Sequence, residues 1–158
     1  MKISKSIKIL FCMALLLAVV VGNSAFAYAD VSYTGAECGK EISEYALSLT
    51  DVSYVSGGDS PEDGFDCSGF VQYVYATFDI SISRITDTMK NEGEWVCYSE
   101  AQRGDLILYY LNGECTHCAI YLGDDLIVHA SENQGKISVS SVTDCLYDDF
   151  YVRRLQSY

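Results

Sequence analysis

The chain has 158 residues, with 22 Asp and Glu against ten Lys and Arg, for a net charge of −12. This acidity repels nucleic acid and anionic membrane surfaces and excludes both as partners held by charge. The length suits one hydrophobic core, and no internal repeat, low-complexity tract or Pro/Gly/Ser-rich linker announces a second module.

The N-terminus has the pattern of an export signal. Lys2, Lys5 and Lys8 precede an apolar run from Ile9 to Val21, and two overlapping small-x-small sites follow, Ala25-Phe26-Ala27 and Ala27-Tyr28-Ala29. The run of 13 residues is short of the roughly 18 a membrane span needs, so residues 1–29 are expected to be a cleaved signal peptide. Cys12 sits too close to the start to be a lipid attachment site. Cleavage after Ala29 leaves residues 30–158 as one domain, with seven cations against 22 acids. The expected product is secreted, on the cell-wall or periplasmic side, monomeric and not anchored in a membrane.

Ile42, Tyr45, Ala46 and Leu49 recur at helical spacing and predict a helix over 36–50. Ser56 to Gly64 is rich in turn residues and reads as a loop. A second helix is expected from about Asp66, a good N-cap, to about Thr77, burying Phe70, Val71, Val74 and Tyr75. A short helical piece over 85–91 follows. The period then changes to two, giving strands at 94–98, 105–111, 116–122, 125–131, 136–141 and 150–155. Helices followed by a meander of short strands imply an α+β domain with an antiparallel sheet.

Cys67 would open the second helix, where outward-pointing backbone N–H groups and the positive end of the helix dipole favour thiolate. Thiolate at such a position suits covalent catalysis, although a small cysteine packed beneath the loop would look the same. A base is also needed, and the chain has two histidines, His117 and His129, on successive predicted strands. If Leu122 faces Leu126 across a three-residue link, both imidazoles fall on one face as diagonal neighbours. A two-residue turn would put them on opposite faces unless a bulge intervened.

The stretch Gly64-Phe65-Asp66-Cys67-Ser68-Gly69-Phe70-Val71 resembles the nucleophile motif of NlpC-type cell-wall cysteine peptidases. His117-Cys-Ala-Ile-Tyr-Leu-Gly123 resembles their histidine strand, and Ile127-Val-His129-Ala130 the strand of the third catalytic residue. Gly104-Asp105-Leu106 and Tyr54 with Gly57-Gly58 are similar to further family segments, so the resemblance runs from about Glu41 to Leu155. It implies a papain-like α+β fold, with N-terminal helices packed on an antiparallel sheet. It also implies Cys67 as nucleophile, His117 as base and His129 as its orienter. The Cys67 backbone N–H and the Tyr54 hydroxyl would stabilise the oxyanion, and Asp66 and Ser68 would hold the substrate's terminal amine.

The implied substrate is peptidoglycan or a muropeptide, and the implied bond joins γ-D-glutamyl to a diamino acid. No cofactor or metal is expected. Alternatives on the same fold are a muramoyl-alanine amidase and a thioesterase or acyltransferase; a non-catalytic secreted binding domain is a third. Ser56 and Ser83 depart from the family pattern, where an aromatic and a proline are usual, at positions expected near the substrate groove. Cys38, Cys97, Cys115, Cys118 and Cys145 remain, an odd number that cannot all pair. Cys118 shares a strand face with Ile120 and Leu122 and is expected in the core, while Cys115-x-x-Cys118 disfavours a metal site because His117 and Cys118 point opposite ways. Trp95 and the tyrosines beside the strands are expected to be ordinary packing rather than a glycan surface.

Overall fold

A computed structural model of the protein describes residues 35–144 and 146–155. The expected signal segment and Cys145 lie outside the described residues. Helix α1 spans Gly35–Ser48. A two-stranded ladder, β1 (Asp59–Ser60) and β2 (Gly64–Phe65), occupies the segment expected to be a loop. Its strands are too short to show a periodicity. Helix α2 (Cys67–Ala76) and the one-turn α3 (Thr86–Met89) follow. The strands are β3 (Glu94–Val96), β4 (Leu106–Leu111), β5 (Glu114–Gly123), β6 (Leu126–Ser131), β7 (Lys136–Ser141) and β8 (Asp149–Arg154). The first of them ends sooner than expected because Tyr98–Glu100 turns into a 3₁₀ helix.

The six strands form one antiparallel sheet in the order β3-β8-β4-β5-β6-β7. The expected meander holds from β4 to β7, but the last strand returns to insert between β3 and β4. Alternation within a strand fixes which way its side chains point and not which strand lies beside it, so this insertion had no local signal. An ion pair accompanies it: Asp105, fully buried before β4, accepts from Arg154 Nε at 2.9 Å and Nη2 at 2.7 Å.

Both sheet faces are covered. On one, Leu106, Leu108, Cys118, Ile120 and Val128 pack with Ile42 and Ala46 of α1 and with Phe70, Val71, Val74 and Tyr75 of α2. Each of the Leu, Ile, Val and Phe side chains among them, fully buried, contributes about 1.5–3 kcal/mol. On the other face Ile107, Tyr109, Ala119, Tyr121 and Ile127 pack with Val142 and Val152. Two-sided burial explains why β4 to β6 read as nearly continuous apolar runs. Cys118 sits in the helix-side core with Ile120 and Leu122, as expected. Among the aromatics, Tyr109 packs as expected, whereas Trp95 is 59 % and Tyr151 42 % exposed.

Two glycines in the motifs have steric causes. A Cβ on Gly69 would stand 2.1 Å from the Gly58 carbonyl oxygen, so α2 can approach the preceding loop this closely only with glycine there. Gly104 has φ +85° and lies against the Gly39 backbone, where a Cβ would be 2.5 Å from Gly39 Cα. That contact joins the start of β4 to α1.

Candidate active site

Asp66 sets the position of Cys67. Its backbone is extended and its Oδ1 accepts from Gly69 N at 2.7 Å, capping α2 at the residue before the cysteine. Its Oδ2 accepts from Gly57 N at 3.0 Å and from Arg84 Nη2 at 2.7 Å. Arg84 also donates to Ser68 Oγ and to the Gly58 carbonyl, and Ser68 Oγ donates to Asp66 Oδ1. Despite the cost of burial, the bonds from Arg84, Gly69 and Gly57 hold the Asp66 carboxyl below its usual range, so it stays ionised. Arg84 is the residue that sequence reasoning missed here. Its one sequence signal is its place in the segment after Cys67, next to Ser83.

The Cys67 thiol is lowered to about 5. The largest cause is a hydrogen bond from the Cys118 thiol; a hydrogen bond and the charge of His117 act in the same direction, while burial and the Asp66 charge oppose them. Burial and the neighbouring Cys67 push Cys118 well above its ordinary value, so it remains a protonated donor. Cys118 therefore has a second role beyond core filling, one that strand alternation could not reveal.

The two histidines meet. His117 Nε2 lies 2.8 Å from His129 Nδ1, with ring centroids 5.1 Å apart. The second of the two hairpins left open by the sequence, a two-residue turn with a bulge, explains how. The link is the two-residue turn Asp124-Asp125, both with positive φ, and Leu126 pairs with Gly123 rather than Leu122. A bulge at Leu122 then restores the register, pairing Tyr121 with Ile127 and Ile120 with Val128. The extra residue cancels the slip of the shorter turn, so both imidazoles stay on one face. A second bulge, at Thr116, shifts Tyr109 from the register of Tyr110 and brings Cys115 to the same face as Cys118.

Burial, followed by the charge of His117, lowers His129 to about 4, so it is neutral through the physiological range. A neutral imidazole has one donor and one acceptor nitrogen. If Nδ1 accepts from His117, the proton is on Nε2, which lies 3.1 Å from Ser140 Oγ. With its Nε2 engaged by His129, His117 has Nδ1 left for Cys67. Ser140 also accepts from Gln134 Nε2 at 3.4 Å, and no motif had pointed to it.

Cys67, His117 and His129 open onto a cleft of ≈ 610 Å³, walled further by Tyr54, Glu132, Ser140, Asp144 and Tyr147. Tyr54 reaches it because 51–54 adds to the edge of β7, with Tyr54 N donating to Gly135 O at 2.8 Å. Burial and then Glu132 raise the Tyr54 phenol, keeping it a protonated donor. Asp66, Ser68, Ser56 and Ser83 do not line the cleft. The polar atoms of the first two are taken up by the helix cap and Arg84, and Ser83 N and Oγ donate to Glu92. Cys67, Cys97, Cys115 and Cys118 are free thiols.

The chain as a whole has known relatives. The peptidoglycan endopeptidase RipB of Mycobacterium tuberculosis is 39 % identical over 93 residues, covering 59 % of this chain and 38 % of that protein. A gamma-DL-glutamyl hydrolase of Bacillus subtilis is 30 % identical over 111 residues, covering 68 % of this chain and 27 % of the hydrolase. The chain thus spans less than two fifths of the length of either relative. The solved structure of the peptidoglycan hydrolase RipB from M. tuberculosis superposes with a TM-score of 0.68 at 31 % identity, covering 94 % of this chain and 79 % of that one. The NlpC/P60 family pattern matches residues 51–156, two thirds of the sequence, and the chain belongs to the NlpC/P60 family.

Proposed function

We propose that the protein is an exported cysteine peptidase that hydrolyses peptidoglycan stem peptides between a γ-D-glutamyl residue and the diamino acid that follows. The observation that carries this is the continuous line from Cys67 through His117 and His129 to Ser140, opening onto one cleft. The names of the two relatives, a peptidoglycan endopeptidase and a gamma-DL-glutamyl hydrolase, support the substrate and the type of bond.

In this mechanism the Cys67 thiolate attacks the γ-carbonyl carbon, and the carbonyl oxygen becomes an oxyanion that takes hydrogen bonds from the Cys67 backbone N–H and the Tyr54 hydroxyl. The His117 imidazolium gives its Nδ1 proton to the departing amine of the diamino acid. Neutral His117 then removes a proton from water, which attacks the thioester and releases the γ-carboxylate and the Cys67 thiolate. His129 holds the ring plane and tautomer of His117 throughout. Asp66, Ser68 and Arg84 act at one remove by fixing the first turn of α2, and Tyr54 is the member of the expected binding set that meets substrate.

Mass spectrometry of muropeptides after digestion tests the bond. A new amine on the diamino acid is expected. A new amine on alanine would replace this proposal with an amidase, and unchanged muropeptides would favour a thioesterase, an acyltransferase or a binding domain.

A further inference from the structure

The ring of Tyr147 lies nearly parallel to the His117 imidazole, with centroids 5.4 Å apart and planes inclined by 8°. The other rings around His117 meet it differently: Tyr109 is tilted by 39° at 5.8 Å, and His129 presents its edge at 80°. Tyr147 and Tyr109 also contact each other, at 5.0 Å. Tyr147 belongs to the segment between β7 and β8, which walls the cleft together with Asp144 and Leu146. The face of an aromatic ring carries negative quadrupole density, so a cation against it is stabilised more than a neutral group of the same shape. A parallel ring also resists rotation of the imidazole about its bond to Cβ. That rotation would carry Nε2 away from His129 and Nδ1 away from Cys67.

We propose that Tyr147 is a positioning residue for the base: its ring face holds the plane of His117 and stabilises the protonated imidazole that the thiolate requires. This rests on His117 being the acid–base group of the site. The other titratable groups facing His117 are Cys67 from α2, His129 from β6 and Tyr109 from β4, and Glu132 and Asp144 line the same cleft. The stacking effect is separable from theirs because it depends on the electronic character of one ring.

The test needs no substrate, so it stays readable if the peptidase proposal fails. The chain has two histidines, so the imidazole C–H resonances of the intact protein can be followed against pH by NMR and assigned with His129→Gln. Three variants are compared: Tyr147→Phe, Tyr147→Leu, and pentafluorophenylalanine placed at Tyr147, which keeps the shape and reverses the ring quadrupole. Tyr147→Phe is expected to follow the unaltered protein. In the other two, His117 should give up its imidazolium proton about half a pH unit lower or more. The acid limb of Cys67 alkylation by iodoacetamide should move up in the same two, because the thiolate has lost part of its partner. If Tyr147→Leu does not fold, the fluorinated ring decides. Titrations unchanged by the fluorinated ring would overturn the proposal, as would a shift in Tyr147→Phe equal to that in Tyr147→Leu.

Discussion

His117 Nε2 stands 2.8 Å from His129 Nδ1, and His129 in turn points its Nε2 at Ser140 Oγ, 3.1 Å away. In the proposed mechanism this order gives the two histidines unequal duties. Replacing His117 with Ala removes both the proton donor and the counter-charge of the thiolate. Cleavage should fall by about 10²–10⁴-fold, and the alkylation profile of Cys67 should move towards that of an ordinary thiol. His129→Ala should slow cleavage by at least about tenfold and leave Cys67 readily alkylated, since the base loses orientation while the nucleophile keeps its charge. Equal effects of the two variants on Cys67 alkylation would reverse the assignment.

The rate of cleavage should be bell-shaped in pH. Its acid limb belongs to Cys67, at about 5, as a macroscopic property of the pair it forms with His117. Because the Cys118 thiol is the largest cause lowering Cys67, Cys118→Val should raise the acid limb while the similar volume keeps the core packed. Iodoacetamide rates between pH 4 and 9 measure this directly, and an unmoved limb would remove Cys118 from the site.

Arg84→Met should destabilise the fold by about 2 kcal/mol, because it leaves the half-buried Asp66 carboxylate without its charged partner. The uncompensated Asp66 charge should also raise the Cys67 thiol, since that charge already opposes the thiolate. Lys at this position should rescue poorly, as one ammonium cannot reach Asp66, Ser68 and the Gly58 carbonyl in the fork geometry Arg84 uses. Urea midpoints together with thiol titration test both effects.

Stability should itself depend on His129. In the folded protein this group is lowered to about 4, against about 6.5 in an unfolded chain. Between those values the unfolded chain binds a proton at this site that the folded protein does not. Stability is therefore lost as pH falls below about 6.5, by roughly 3 kcal/mol once pH reaches 4. Cys67, lowered in the fold, acts in the same direction between about 9 and 5 and is common to both proteins compared. His129→Gln should lose less stability than the unaltered protein between pH 7.5 and 4.5 in urea unfolding, and equal losses would contradict a buried neutral imidazole.

The helices and most of the strands were legible because each rests on local chemistry, whereas Cys67, His117 and His129 were grouped through the family resemblance. Asp66 was identifiable as a cap from its type and place, and α2 from the spacing of Phe70, Val71, Val74 and Tyr75. Pairing between distant segments was not legible. Inserting β8 beside β4 is accompanied by a long-range ion pair between Asp105 and Arg154, and no pattern within either segment encodes it. The hairpin was half visible: Asp124 and Asp125 accept positive φ, but whether the link has two residues or three is settled by the bulge at Leu122. Arg84 and Ser140 carry no such signal, and Tyr147 reads as ordinary packing, for the same reason: each is brought to the site from a remote part of the chain. Asp66 and Ser68 had been expected in the cleft through the family resemblance, and only the position of Arg84 showed where their polar atoms go.

The most direct test of Cys67 as nucleophile is digestion of purified peptidoglycan by the intact protein and by its Cys67→Ala variant, with soluble fragments identified by mass spectrometry. The unaltered protein should release fragments ending in γ-D-glutamate together with partners bearing a free amine on the diamino acid. The Cys67→Ala variant, confirmed as folded by its thermal transition, should release neither. Identical fragments at identical rates from the two proteins would contradict a covalent mechanism at Cys67.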